Sequence, residues 1–313
     1  MKTLFVLLSF FLLLISLQAH PSWAFIMDEN EKIYLVDLLT DDGTLMQIDL
    51  KTQELKVIAT GFHCHSMHLG KDGNIYAGLN IWRQGEIEGE GHNYLICIDT
   101  EDGSLDTLLF SERYLDYFGA DIAMTEDLST VLYIYQNHIY AKALPNKPTR
   151  KWIDHTFKKA STIALDGRGD LWIADTREQD GTLFRWNKKE GLQAVASGLI
   201  PARPEHPVFE ERRHHLFFGI GFNEKGDPLV TESADRKVVE VLPFGKKRLI
   251  YQSDRNWHPL RAFEYKGQYY VLETGWQSGK GFLDSKIRIL NEQLEVEKTV
   301  IVHTKRRELE VEK

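Results

Sequence analysis

Residues 61–69 read GFHCHSMHL and set His63, Cys64, His65 and His68 within one short stretch. Imidazole and thiolate are the donors of structural zinc, which asks for four of them converging as a tetrahedron. Imidazoles at this density would also serve general acid–base chemistry. A second set of chemically capable residues recurs along the chain. Asp37, Gln136, Asp175, Glu232 and Glu273 each close a β-rich run, and Asn80 sits near the same place in a further one. A column of carboxylates at one repeat position suits a hard cation or an acid/base pair. Which chemistry is feasible depends on the elements that carry these side chains.

Those elements repeat. STIALDGRGDLWIADT (161–176), HSMHLGKDGNIYAGLN (65–80) and FGIGFNEKGDPLVTES (218–233) each read as a short apolar run, a Gly-containing polar turn and a second β-rich run. The same phase appears in 23–38, 120–137 and 260–275, and two more alternating runs follow each pair. Val, Ile, Tyr and Phe concentrate in these runs, bounded by Gly, Asp and Asn, with no sustained helical spacing after the N-terminus. Six units of four strands over residues 22–303, about 47 residues each, predict an all-β, six-bladed β-propeller with four antiparallel strands per blade. The blades are expected at about 20–61, 62–110, 117–154, 157–198, 210–252 and 256–303, in one domain over 20–313. Ring closure is expected from blade 6 packing on blade 1, with no blade shared between the termini.

In this frame 62–69 becomes the innermost strand of blade 2. Side chains alternate along a strand, so His63 and His65 take one face while Cys64 and His68 take the other. Four donors then cannot meet at one ion, and the compact zinc site is excluded. Cys64 and Cys97 fall two strands apart, about 9.6 Å, beyond the ~7 Å reach of a disulfide, so both are expected as buried thiols. Most of the 12 histidines are expected on one rim, that of the loops entering each innermost strand. His65 and His258 lie at the channel mouth. The acid column ends at the same rim, where Asp37 and Asp175 suit a turn-anchoring role and Glu232 and Glu273 a chemical one. Long loops gather there too: 80–94 with Trp82, 199–215 with Arg203, Arg212 and Arg213, and the segment carrying Trp276; Trp257 stands beside His258. The three arginines are expected to clamp a carboxylate or phosphate, and the three indoles to offer flat faces to a sugar or another ring.

The N-terminus, MKTLFVLLSFFLLLISLQA, has a lysine, then an apolar run shorter than the roughly 20 residues a spanning helix needs. It is expected to be a secretory signal peptide over 1–19, giving a secreted or periplasmic chain with no stable membrane anchor after cleavage. The 313 residues are 42% hydrophobic and 27% charged, with a net charge of −8. That balance and the lack of a basic stripe argue against nucleic acid as a partner.

ASTIALDGRGDLWIADT and GFNEKGDPLVTESADRKVVEV resemble the repeat of the six-bladed superfamily that holds NHL-repeat proteins, the SMP-30/gluconolactonase family and paraoxonase-like enzymes. The resemblance implies a metal-dependent lactonase or esterase, with a divalent cation held at the channel mouth. Asp121, in GADIA, matches the Asn/Asp-Ile pattern of its metal ligands. The expected ligand set is Asp121, His65, Glu232 and Glu273, around Ca²⁺, or Zn²⁺ or Mn²⁺ where imidazole enters. His65, His258 and Glu273 are the expected catalytic groups, acting on a small ester, lactone or sugar acid. The alternative is a non-catalytic exported propeller that binds a glycan, peptide or protein through its loop-rich face.

Overall fold

The computed structural model describes residues 22, 24–38, 43–81, 92–112, 118, 121–200, 219–277, 281–303 and 306–312, with backbone alone at 80, 276–277 and 281–283. The chain is an all-β propeller of six antiparallel sheets, each ordered in sequence from the innermost strand outward. The blades occupy 25–60, 67–111, 122–151, 160–196, 220–252 and 257–312. Second strands read as nearly unbroken apolar runs, such as Thr130–Tyr135 (TVLYIY) and Leu171–Asp175 (LWIAD). Each blade packs on two neighbours, so both faces of an inner strand are buried and the usual apolar/polar alternation is lost.

The turn between first and second strands explains the repeated Asp-x-x-Gly. In blade 4 the Asp166 carboxylate accepts the backbone N–H groups of Arg168 and Asp170 at 2.9 and 3.0 Å. Gly169 follows at φ +81°, a left-handed conformation that a residue with a Cβ adopts at a cost. Asn223 makes the same turn in blade 5. Near the axis the inner strands crowd: a Cβ on Gly221 would stand 1.8 Å from the Ala262 carbonyl oxygen, so only glycine fits there.

Apolar seams fill the spaces between blades. One cluster joins blades 3 and 4 through Leu132, Ile139, Ile163 and Ile173, and another joins blades 5 and 6 through Leu229, Ile250, Ala262 and Val271. The ring closes by packing, as expected: Phe25 and Leu35 of blade 1 share a cluster with Leu272 and Val300 of blade 6. Hydrogen bonds from Tyr265 Oη to the Glu29 carbonyl and from Lys298 Nζ to the Leu50 carbonyl cross the same joint. Among the described residues no helix is long and apolar enough to cross a membrane.

Three details depart from expectation. The innermost strand of blade 2 covers only Met67–Leu69, and His63–Ser66 form the segment that enters it. Side chains hold that segment in place of a ladder: Ser22 Oγ donates to the Cys64 carbonyl and Ser66 Oγ accepts from Ile122 N–H. Blade 6 gains a fifth strand, Glu308–Glu312, paired with Val296–His303. Its ELEVE pattern sends Leu309 and Val311 onto the core while three glutamates face water. Blade 3 has an outermost strand of only two residues, Arg150–Lys151, and that stub leaves the flank of blade 4 uncovered.

Candidate functional site

Innermost strands border the central channel, and three residues on or beside them carry chemistry. His68 lies within the innermost strand of blade 2 and Arg261 within that of blade 6, Trp257–Tyr265; Asp121 directly precedes Ile122–Met124 of blade 3. In a ring of six, blade 6 stands opposite blade 3. Asp121 favours the Arg261 charge and Arg261 disfavours charge on His68, so the three groups act on one another although they belong to blades 3, 6 and 2.

Arg261 makes no hydrogen bond or ion pair with the described residues. Burial pushes its guanidinium down, and the Asp121 carboxylate opposes that. A guanidinium still keeps its proton, so it is a fixed cation. Asp121 offsets it only in part, because its Oδ2 already accepts the Ile163 N–H from blade 4 at 3.0 Å, and the side chain is buried. Burial, then the Arg261 charge, brings the His68 imidazole down to about 4, so it is neutral at pH 7. Cys64 is buried with its thiol pushed up, and its Sγ donates to the Ser66 carbonyl at 2.9 Å. A thiol in that state is a poor nucleophile. Cys64 and Cys97 are both free, Cys97 only partly buried.

The residues expected at the mouth are distributed otherwise. His65 is buried, its ring edge-on to His63 at 5.0 Å between centroids. His258 is buried with Nδ1 2.9 Å from the Ser233 carbonyl oxygen. Glu273 is wholly buried, and its Oε2 accepts from Arg288 Nε at 2.9 Å. Burial pushes the Glu273 carboxyl up, against the pull of Ser253 and Arg288. Arg288 also donates to Asp254 at 2.8 Å and Thr299 at 2.9 Å, so Glu273 belongs to a polar joint between blades 5 and 6. Leu229 packs with Ala262 and Val271 of blade 6, and Glu232, of opposite strand parity, takes the other face of the blade 5 sheet. The blade 5 sheet thus stands between Glu232 and Glu273. Burial pushes the Glu232 carboxyl up to about 7.

Among the described residues no three His, Cys, Asp or Glu side chains gather where one metal ion could reach them. Asp121, His65, Glu232 and Glu273 therefore do not fit a Ca²⁺, Zn²⁺ or Mn²⁺ site as a set. Asp175 has the turn-anchoring role expected of it, accepting N–H groups from Lys158, Lys159, Arg177 and Glu178. Other rim histidines bond locally: His92 with Glu112, and His138 with Gln136 and Thr156. Trp257 has one ring face covered by Lys286 Nζ at 3.9 Å. Trp82, Arg203, Arg212 and Arg213 lie outside the described residues, as does the Trp276 side chain.

Arg261 was not among the expected site residues. Its signal is the arginine in HPLRAFEY, a charge inside a run where the other inner strands are largely apolar.

No family model matches the chain and no curated protein matches its sequence. Solved structures match its fold. Virginiamycin B lyase from Staphylococcus aureus, solved as a catalytically inactive variant with quinupristin, is 11% identical with a TM-score of 0.53, over 92% of this chain and 93% of its own. TolB from Acinetobacter baumannii is 11% identical with a TM-score of 0.57, over 83% and 61%. An auxiliary nutrient binding protein from Bacteroides ovatus is 13% identical with a TM-score of 0.55, over 80% and 66%. At these identities the likeness is one of fold, and the neighbours differ in function.

Proposed function

We propose that this chain is an exported propeller that binds a small organic anion, such as a sugar acid, at its central channel. Arg261 carries the reading. A partly buried guanidinium opposed only by a shared carboxylate costs stability, and a ligand carboxylate would supply the missing bidentate partner. Neutral His68 beside it can donate or accept without adding charge. Fold neighbours named for nutrient binding and for a lyase agree with a ligand site in this architecture but do not identify the ligand.

The test is calorimetric titration of the mature chain with gluconate, glucarate and citrate, repeated on Arg261→Met. Binding of one of these carboxylates that Arg261→Met abolishes, with stability unchanged or raised, is the expected result. A loss of several kcal/mol in Arg261→Met, with no carboxylate bound by the parent, would make Arg261 structural and end the reading.

The metal-dependent hydrolase reading rests now on Glu232 alone, a buried carboxyl held near neutral pH as general bases often are. Metal analysis of protein purified without a His tag, with ester and lactone hydrolysis by Glu232→Gln, decides it. Stoichiometric metal and a Gln-sensitive rate would revive it.

A further inference from the structure

The rim opposite the channel mouth carries a second feature, independent of Arg261. Between blades 3 and 4 a cleft of about 850 Å³ opens beside the two-residue outer strand of blade 3. It runs into a neighbouring hollow of about 670 Å³ and shares Arg150, Trp152, Gly169 and Trp186 with it. Both lie in the range of about 300–1,000 Å³ common for small-ligand pockets.

The lining is specific in two ways. Trp152 and Trp186 stand edge to face with centroids 5.3 Å apart, both partly exposed, and the Arg150 guanidinium lies over the Trp152 ring at 5.4 Å. Around the indoles stand Arg150, Lys151, Arg168, Arg185, Lys188 and Lys189, against the acids Asp170 and Glu190. Arg168 is held by Asp166, and Arg185 by Asp170 and Glu190. Arg150, Lys151, Lys188 and Lys189 have no carboxylate partner among the described residues. In a chain of net charge −8 this is a local concentration of uncommitted cations.

We infer that the cleft binds an acidic oligosaccharide, its rings on the Trp152 and Trp186 faces and its carboxylates or sulfates on Arg150, Lys151, Lys188 and Lys189. Flat indoles suit pyranose faces, and the cations suit one anionic group per sugar. An acidic peptide would use the cations and leave the indoles idle. A nucleic acid would use both the indoles and the cations, and the oligonucleotide below tests for it.

The experiment titrates the full chain with a galacturonate hexamer and a chondroitin sulfate hexasaccharide, which separate carboxylate from sulfate. Maltohexaose, hexaglutamate and a dT6 oligonucleotide are the comparisons. One acidic sugar should bind at least tenfold tighter than maltohexaose and than hexaglutamate. Trp186→Ala should weaken it at least tenfold, and so should the triple change Arg150→Gln, Lys188→Gln, Lys189→Gln, which alters exposed side chains and leaves the core intact. Arg261→Met should leave this affinity unchanged, so the cleft and the channel are tested separately. Equal binding of hexaglutamate, tighter binding of dT6, or no binding of either acidic sugar overturns the inference.

Discussion

The seam between blades 5 and 6 and the seam between blades 3 and 4 begin alike and end differently. Both have an apolar interior to which the two flanking blades contribute. Blade 5 carries a full outermost strand, Lys247–Gln252, which brings Tyr251 over Glu273 and runs on to Ser253 and Asp254. The polar groups there complete one another, with Arg288 shared by Glu273, Asp254 and Thr299. Blade 3 has only Arg150–Lys151 at that position, so its seam stops at two indoles and leaves cations in water. Outer-strand length therefore decides whether interblade charge is consumed internally or left for a ligand. A closed seam should respond to pH and to loss of a partner; an open one should respond to salt and to ligand.

The largest expected break in that contrast is Arg288→Ala. It strands Glu273 in a buried site, for which about 3–5 kcal/mol is the usual loss; urea unfolding measures it. Arg150→Ala at the open seam should leave the unfolding midpoint within error. Comparable losses in the two variants would dissolve the distinction.

Next come two pH effects of opposite sign. Glu232 has its folded pKa raised from 4.5 to about 7, so its contribution is full below pH 4.5 and is lost as pH rises through 7. Glu232→Gln should be more stable than the parent at pH 8 by about 2–3 kcal/mol, with the gain vanishing near pH 4. His68 is lowered from 6.5 to about 4, so its contribution is full above pH 6.5 and is lost as pH falls through 4. His68→Phe should gain stability at pH 4 relative to pH 7 by a similar amount. In the parent the two slopes oppose each other between pH 4.5 and 6.5. Curves for each variant that run parallel to the parent would contradict both assignments.

A smaller effect is expected from Trp186→Ala. It removes a half-buried ring from the open seam at a cost of about 1–2 kcal/mol, whereas Tyr251→Ala in the closed seam should cost more by the same unfolding assay. The smallest is ionic: raising salt from about 0.05 to 0.5 M should leave unfolding of the closed seam unchanged while weakening any anion held by Arg150, Lys188 and Lys189.

The repeat made the propeller legible before any coordinates. Asp166-x-x-Gly169 and Asn223-x-x-Gly226 are turns with a local mechanism, and runs such as TVLYIY show burial on both faces. The local roles read equally well: Asp175 anchors its turn because a short carboxylate there reaches the following N–H groups. The candidate site was less legible. Glu232 and Glu273 share a repeat position, yet they face different blades because each belongs to its own sheet. His68 stood in the opening motif, but its significance came from Arg261, four blades later in a run that otherwise reads as core.

Strand order, turn chemistry, two unbridged cysteines and closure by packing follow from residue type and period alone, because strand alternation and turn hydrogen bonds act over a few residues. Tertiary structure decided which charges meet. Arg261 feels the charge of Asp121 from another blade, Glu273 is occupied by Arg288 from the neighbouring strand, and the Trp152–Trp186 cleft exists because an outer strand ends after two residues. These are relations in space between strands and blades, and electrostatics and solvent exposure depend on that distance rather than on distance along the chain.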